Sequence, residues 1–192
     1  MLIELPLYDV LAAFASPDPT PGGGSASALA SAIGAALLAM VAALPKTKSN
    51  SDADRTALAG ALAATGGIRA QLGEAIDADT AAYDAVVAAY KLPKGTDQEK
   101  AARSEAIQRA LRGATDVPLR VMRLSAEGLS AAAIVAAHGN PSASSDVGVA
   151  VALLRAGLEG ARLNVEVNLG SIKDDAYKQS VNEEAARLAA GR

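Results

Sequence analysis

The run 20-TPGGGSASALASAIGAALLAMVAALPK-46 constrains this chain more than any other stretch, because it opens on three glycines and carries no charge from residue 21 to 45. A membrane span, a phosphate loop and a buried helix compete to explain it. Residues 26–44 reach the lower limit of spanning length. Alanine dominates them, however, only Leu29, Ile33, Leu37, Leu38, Met40, Val41 and Leu44 are strong hydrophobes, and no second comparable run exists. No membrane partner is therefore expected. A Walker-type loop needs lysine and Ser/Thr directly after its last glycine, to reach phosphates and magnesium; here Ser25 and Ala26 follow Gly24. The buried helix remains, predicted over 25–44. Pro21 cannot extend it upstream, and Ser25 is placed to cap its first turn. Gly22, Gly23 and Gly24 let the backbone approach another surface closely, either a neighbouring helix or a ligand.

The remaining chain also reads as helical. Hydrophobic residues make up 51% and aromatics only 3%, so alanine, the best helix former, carries much of the apolar content. No run alternates as a strand would. Helices are predicted near 5–15, over 52–90, over 97–137 and from the end of the loop 138–146 to about 169, with a last one at 173–190. Gly66-Gly67 would interrupt the second of these and Pro118 would kink or break the third. Thr96 or Asp97 caps the third after the link 91-KLPKGTD-97. The fold class is an all-α bundle of about six helices in one domain, 1–192. A net charge of −3 gives no reason to expect nucleic acid as a partner. The absence of cysteine excludes disulfides, thiol nucleophiles and thiolate metal sites and fits a cytoplasmic protein. The N-terminus has acids where a signal peptide wants bases.

Few groups are left for chemistry. The single histidine, His138, sits at a helix end, where its charge suits the dipole, and a structural role is expected for it. Carboxylates are the acid–base candidates. Leu58, Leu62, Leu72, Ile76, Asp79, Tyr83, Val86 and Tyr90 follow one helical stripe, which puts Asp79 in an apolar seam. An acid there is either functional or hydrogen-bonded to another helix. Asp77 falls on the polar side with Gly73, Thr80, Asp84 and Lys91, and residues two apart form no dyad. Downstream, Asp146, Ala150, Leu153, Gly157, Gly160, Asn164 and Val167 share a face, with Asn168 one turn after Asn164. Two glycines beside an asparagine make either a recess that reads a flat heterocycle or a close helix contact.

Three segments in order, PTPGGGSASALASAIGAALLAMV, the Ile76-Asp77-Ala78-Asp79 stretch with AYKLPKGTDQEKAAR, and GNPSASSDVGVAVALLRAGLEGARLNVEVNL, resemble the cyclodeaminase/cyclohydrolase family of folate enzymes. The resemblance spans about residues 5–175. It implies an all-α homodimer acting on a tetrahydrofolate derivative, with no metal and no cofactor beyond that substrate, and with the folate site near the glycine-rich segment. The family's catalytic aspartate falls on Asp79. Asp77 matches some members, and the match extends to Gly22, Gly23, Gly24, Asn140, Asp146, Asn164 and Asn168.

Many cyclodeaminases are fused to a formimidoyltransferase domain, which these residues do not contain. The resemblance therefore favours a stand-alone methenyltetrahydrofolate cyclohydrolase. A formimidoyltetrahydrofolate cyclodeaminase and a non-catalytic folate-binding helical module are the alternatives. In this picture the helix entrance at Gly22–Ser25 meets the pterin edge or a carboxylate through free amides. Asp146 or Asn164 bonds the pterin's amino and oxo groups. Lys46, Lys48, Lys91 and Lys94 are candidates for the anionic glutamate tail.

Overall fold

The computed structural model describes residues 1–191. Six α-helices account for most of them: α1 Leu7–Phe14, α2 Gly23–Ala42, α3 Asp52–Tyr90, α4 Asp97–His138, α5 Ser144–Leu169 and α6 Asp175–Ala190. Short 3-10 turns lie at Leu2–Glu4 and Pro141–Ala143, and no strand occurs among the described residues. The all-α class and the helix count agree with the sequence.

Helix α2 is the axis of the bundle and packs on α3, α4 and α5. Its small residues explain how three neighbours fit around one helix. A Cβ added at Gly34 would lie 2.8 Å from the Ala150 carbonyl oxygen and 2.9 Å from Leu154 Cγ. One at Gly157 on α5 would lie 2.6 Å from the Ser27 oxygen. Ser31 and Ser125 hydroxyls pair across α2 and α4 at 2.7 Å, fully buried, and Ser125 donates onward to the Val121 carbonyl. Serine is tolerated in this core because each hydroxyl has a partner. The glycines of α5 thus serve a close helix contact. The recess predicted at Gly157 and Gly160 is filled by Ser27 and Ser31 and holds no ligand space.

Neither Gly66-Gly67 nor Pro118 breaks its helix. Helix α3 runs through Gly66-Gly67, because two glycines weaken a helix locally without stopping one whose other face is packed. Helix α4 runs through the buried Pro118. Proline has no N–H for the carbonyl four residues back, but here Asn168 on α5 donates its side-chain amide to that Ala114 carbonyl at 2.7 Å. The amide replaces the missing backbone bond.

The long helices start where their caps say. Ser51 accepts from Asp54 N, and Thr96 with Glu99 forms a reciprocal capping box. Helix α2 starts earlier than predicted, at Gly23 with Gly22 as N-cap, and Ser25 does not cap it. The buried face of α3 comprises Leu58, Ala61, Thr65, Ile68, Leu72, Ala75 and Ile76. Leu62, Tyr83 and Tyr90, predicted on the seam, are exposed. A strict seven-residue repeat drifts about 20° per heptad around a straight helix, so over this length the predicted stripe leaves the buried face.

Candidate functional site

At the N-terminus of α2 a cavity of about 300 Å³ opens between α2, α3, α4 and α5. Gly22, Gly23 and Gly24 form one wall, Asp79, Tyr83 and Val86 a second, and Leu111, Ala114, Asn164 and Asn168 the others. The volume sits at the lower end of the range for small-molecule sites, and its mixture of apolar walls with few polar groups is typical of one.

Asp79 is the acid of this cavity. Its Oδ2 accepts from Ser25 N at 2.8 Å and from Ser25 Oγ at 3.0 Å. The hydroxyl also lies 2.8 Å from the Ile76 carbonyl oxygen. Asp79 therefore caps α2 from the neighbouring helix, which explains why α2 needs no cap residue of its own. Its Oδ1 accepts nothing from the described residues and lies above Gly24. Burial pushes the Asp79 carboxyl above the ordinary range, and the two Ser25 hydrogen bonds oppose that only in part. The result is a carboxylate with one oxygen anchored, one free at a cavity, and a raised affinity for protons.

The three glycines divide their tasks. A Cβ on Gly24 would come within 2.5 Å of Asp79 Cγ, and closer still to Oδ1. On Gly23 it would only touch Asn164 Nδ2 at 3.4 Å, and on Gly22 the Pro19 oxygen at 3.6 Å. Gly24 is thus required by an internal contact, whereas Gly22 and Gly23 face the cavity with room to spare. The amides of Gly23 and Gly24 donate to no described residue. They leave free N–H groups at the positive end of α2.

The two asparagines are committed through their nitrogens. Asn164 Nδ2 donates to the Gly160 carbonyl at 2.8 Å, and Asn168 Nδ2 to Ala114. Each amide is held in one orientation, and neither carbonyl oxygen has a partner among the described residues. The fixed amides offer acceptors at the cavity wall.

Four sequence-predicted site residues lie elsewhere. Asp77 does not line the cavity; the 3-10 turn Leu2–Glu4 covers it, and Leu2 N donates to its Oδ1 at 2.6 Å. The open polar side predicted for Asp77 is thus packed, because the N-terminal residues fold back over Gly73, where Ile3 Cδ1 approaches. Lys46, Asn140 and Asp146 sit at the other end of α2, about 30 Å away by the rise of a 20-residue helix. Lys46 is exposed beyond the C-terminus of α2. Asn140 caps the turn Pro141–Ala143 by accepting from Ser142 N, and Asp146 lies in the first turn of α5. Segment order says nothing about which end of an antiparallel bundle a segment reaches. At that far end His138 has the structural role expected of it: its Nδ1 donates to Asp54 Oδ1 at 2.9 Å.

Pro19, Thr20, Leu111 and Ala114 were missed as lining residues. Pro118 offered a signal for the last of these, since a proline inside a helix frees the carbonyl at i−4 and implies a donor opposite it. Tyr83 and Val86, predicted on the seam, line the cavity one and two turns after Asp79.

Known proteins share this sequence and this fold. Residues 6–187 match the family described as formiminotransferase-cyclodeaminase. The chain is 46% identical over 176 residues to a methenyltetrahydrofolate cyclohydrolase of Methylorubrum extorquens, covering 92% of this chain and 85% of that protein. It is 33% identical over 187 residues to a formimidoyltransferase-cyclodeaminase of Sus scrofa, covering 97% of this chain but only 35% of that longer protein. The crystal structure of a formiminotetrahydrofolate cyclodeaminase from Thermotoga maritima superposes with a TM-score of 0.88 at 27% identity, over 100% of this chain and 91% of that one.

Proposed function

This chain belongs to the formiminotransferase-cyclodeaminase family, and from that premise we propose that it is a methenyltetrahydrofolate cyclohydrolase, with Asp79 as the group that moves the proton. The observation that carries this reading is the carboxylate itself, tethered by Ser25 through one oxygen and free over Gly24 through the other. Its 46% identity to a cyclohydrolase, nearly end to end, supports the choice of reaction.

The bridge carbon between N5 and N10 of the substrate is an amidinium carbon and already electrophilic, so the reaction needs no further cofactor. Water adds to that carbon while Asp79 Oδ1 takes one of its protons, leaving a neutral tetrahedral carbinolamine. The C–N5 bond then breaks, Asp79 returns its proton to N5, and the hydroxyl proton leaves to solvent as the formyl group forms on N10. A raised proton affinity makes Asp79 a stronger base than an exposed aspartate, while the cationic substrate beside it favours its ionised form. The free amides of Gly23 and Gly24 are placed to donate to the pterin edge, and the Asn164 and Asn168 oxygens to accept from it.

The cyclodeaminase reaction is a second reading, favoured by the name of the superposed structure. There the same carboxylate would assist attack by N10 on the formimino carbon and the departure of ammonia. Assaying the purified protein with both substrates separates the two. Loss of the near-ultraviolet absorption of 5,10-methenyltetrahydrofolate supports the cyclohydrolase. Ammonia release from 5-formiminotetrahydrofolate, without that loss, contradicts it. Binding of both folates with turnover of neither indicates the non-catalytic module.

We also propose a homodimer through the outer faces of α2 and α5. Ile33 and Met40 on α2 and Val149, Leu163 and Val167 on α5 are exposed, and the two helices pack side by side. Such a stripe is unusual on a monomer. A two-fold axis that sets a second α2 antiparallel to the first would bring the end bearing Lys46, Asn140 and Asp146 towards this cavity. Sedimentation showing a monomer at micromolar concentration would contradict the proposal.

A further inference from the structure

One hydroxyl beside the cavity has two acceptors and a single proton to give. Ser25, in the first turn of α2, is fully buried. Its Oγ lies 2.8 Å from the Ile76 carbonyl oxygen and 3.0 Å from Asp79 Oδ2. A serine hydroxyl carries one O–H, so only one of the two receives it in good geometry at a time. The Ile76 carbonyl is a neutral acceptor in the interior of α3, whereas an ionised Asp79 is a charged one. Hydrogen bonds to an ionised acceptor are roughly twice as strong as those between neutral groups. While Asp79 is ionised, the hydroxyl therefore belongs to Oδ2. Once Asp79 is protonated that advantage is gone, and the closer Ile76 carbonyl takes it.

Ser25 also decides which oxygen carries the proton. Its N–H donates to the same Oδ2 at 2.8 Å, so two donors face that oxygen and a proton there would meet them head on. An incoming proton settles on Oδ1, above Gly24 at the cavity. No other charge competes at this point. Tyr83, on the same helix, is the one other titratable residue among those lining the cavity, and α2, α4 and α5 present no ionisable side chain to it. Asp77 is held under Leu2 instead. Burial pushes the Asp79 carboxyl up, and the Ser25 hydroxyl and N–H are what oppose it.

Resting on the general-base reading of Asp79 above, we propose that Ser25 is a positioning residue of the reaction. It anchors Oδ2, leaves Oδ1 as the oxygen that moves the proton, and turns its hydroxyl from Asp79 to Ile76 as the carboxyl changes from base to acid. The proton of the attacking water goes to Oδ1 and later leaves Oδ1 for N5. The Ser25 proton only rotates about the Cβ–Oγ bond and is never transferred. A fixed donor would favour the ionised carboxylate throughout, whereas a rotating one is satisfied in both halves of the cycle.

NMR of isotope-labelled carbons reads this directly, by following the Asp79 side-chain carboxyl and the Ile76 carbonyl as pH is varied. The unaltered protein is compared with Ser25→Ala, which keeps the N–H donor, and Asp79→Asn identifies the carboxyl signal. In the unaltered protein the Ile76 signal should move with the same midpoint as Asp79. In Ser25→Ala the Asp79 midpoint should rise by about one pH unit, and Ile76 should no longer follow it. An Ile76 signal that ignores the Asp79 titration in the unaltered protein would overturn the proposal without need of any variant. So would an Asp79 midpoint that stays put in Ser25→Ala. Both readings are made without substrate. A protein that shows both signatures yet hydrolyses no 5,10-methenyltetrahydrofolate supports the Ser25 contact and contradicts the reaction assignment alone. Where hydrolysis occurs, the acid limb of kcat/KM should move up with the Asp79 midpoint in Ser25→Ala, and a limb that stays behind would overturn the role in the reaction.

Discussion

Asp79 occupies the space that a side chain on Gly24 would need. The carboxylate lies over Gly24 while its Oδ2 accepts from Ser25 N at 2.8 Å, so the acid of the cavity, the helix cap and the glycine form one contact. The glycine run is therefore not uniformly a ligand loop.

Gly24→Ala should destabilise the protein by about 1–3 kcal/mol, since the new methyl group must displace Asp79. In an ordinary helix the same change gains up to about 1 kcal/mol, so the sign alone is diagnostic. Gly23→Ala should shift stability by less than about 0.5 kcal/mol. Thermal unfolding of the two variants, with about 2–4 °C per kcal/mol expected at this size, reads the difference.

Asp79→Asn should stabilise the fold while removing activity. Burial raises the folded-state pKa of Asp79, so the folded protein holds this proton more tightly than the unfolded chain. Stability is therefore lost as pH rises from the unfolded pKa, near 4, through the folded one. Asparagine keeps an acceptor for Ser25 without the desolvated charge. The melting temperature of the variant should match that of the unaltered protein near about pH 3.5 and exceed it at about pH 7.

Asn168 and Pro118 should be coupled. Asn168→Ala leaves the Ala114 carbonyl without its donor and should cost about 1–3 kcal/mol. Pro118→Ala restores a backbone N–H for that carbonyl, so in this background the Asn168→Ala penalty should shrink by at least about 0.5 kcal/mol. Denaturant unfolding of the four proteins in the cycle measures the coupling, and additive penalties would show that the amide does not replace the missing bond.

Acid should loosen the far end first through Asp54. His138 Nδ1, then Ser49 N and Oγ and Thr47 Oγ1, hold the Asp54 carboxyl well below the usual carboxylate range. A depressed folded pKa contributes stability that is complete above the unfolded pKa, near 4, and is lost as pH falls through the folded value. The stability advantage over Asp54→Asn should be full at about pH 7 and shrink below about pH 4, as followed by melting temperature against pH.

The sequence carried the fold class, the six helices and the position of Asp79, because periodicity and caps are local signals. It could not tell which end of the bundle a segment would reach. Asn164 and Asn168 arrive beside Asp79, whereas Asn140 and Asp146, only 20-odd residues earlier on or before α5, are a helix length away. Asp77 failed for another reason: the residues that cover it belong to the N-terminal turn, whose contact with α3 no helical pattern encodes. The kink or break expected at Pro118 leaves out its remedy, the Asn168 amide, which lies 50 residues downstream.

The most direct measurement is the rate at which the near-ultraviolet absorption of 5,10-methenyltetrahydrofolate disappears in the presence of the protein and of Asp79→Asn, across pH. With Asp79 as general base, kcat/KM in the unaltered protein should fall as pH drops through its raised pKa, and the variant should be slower by about a hundred- to ten-thousand-fold with that pH limb gone. A folded Asp79→Asn protein that hydrolyses the substrate at an undiminished rate would contradict the account.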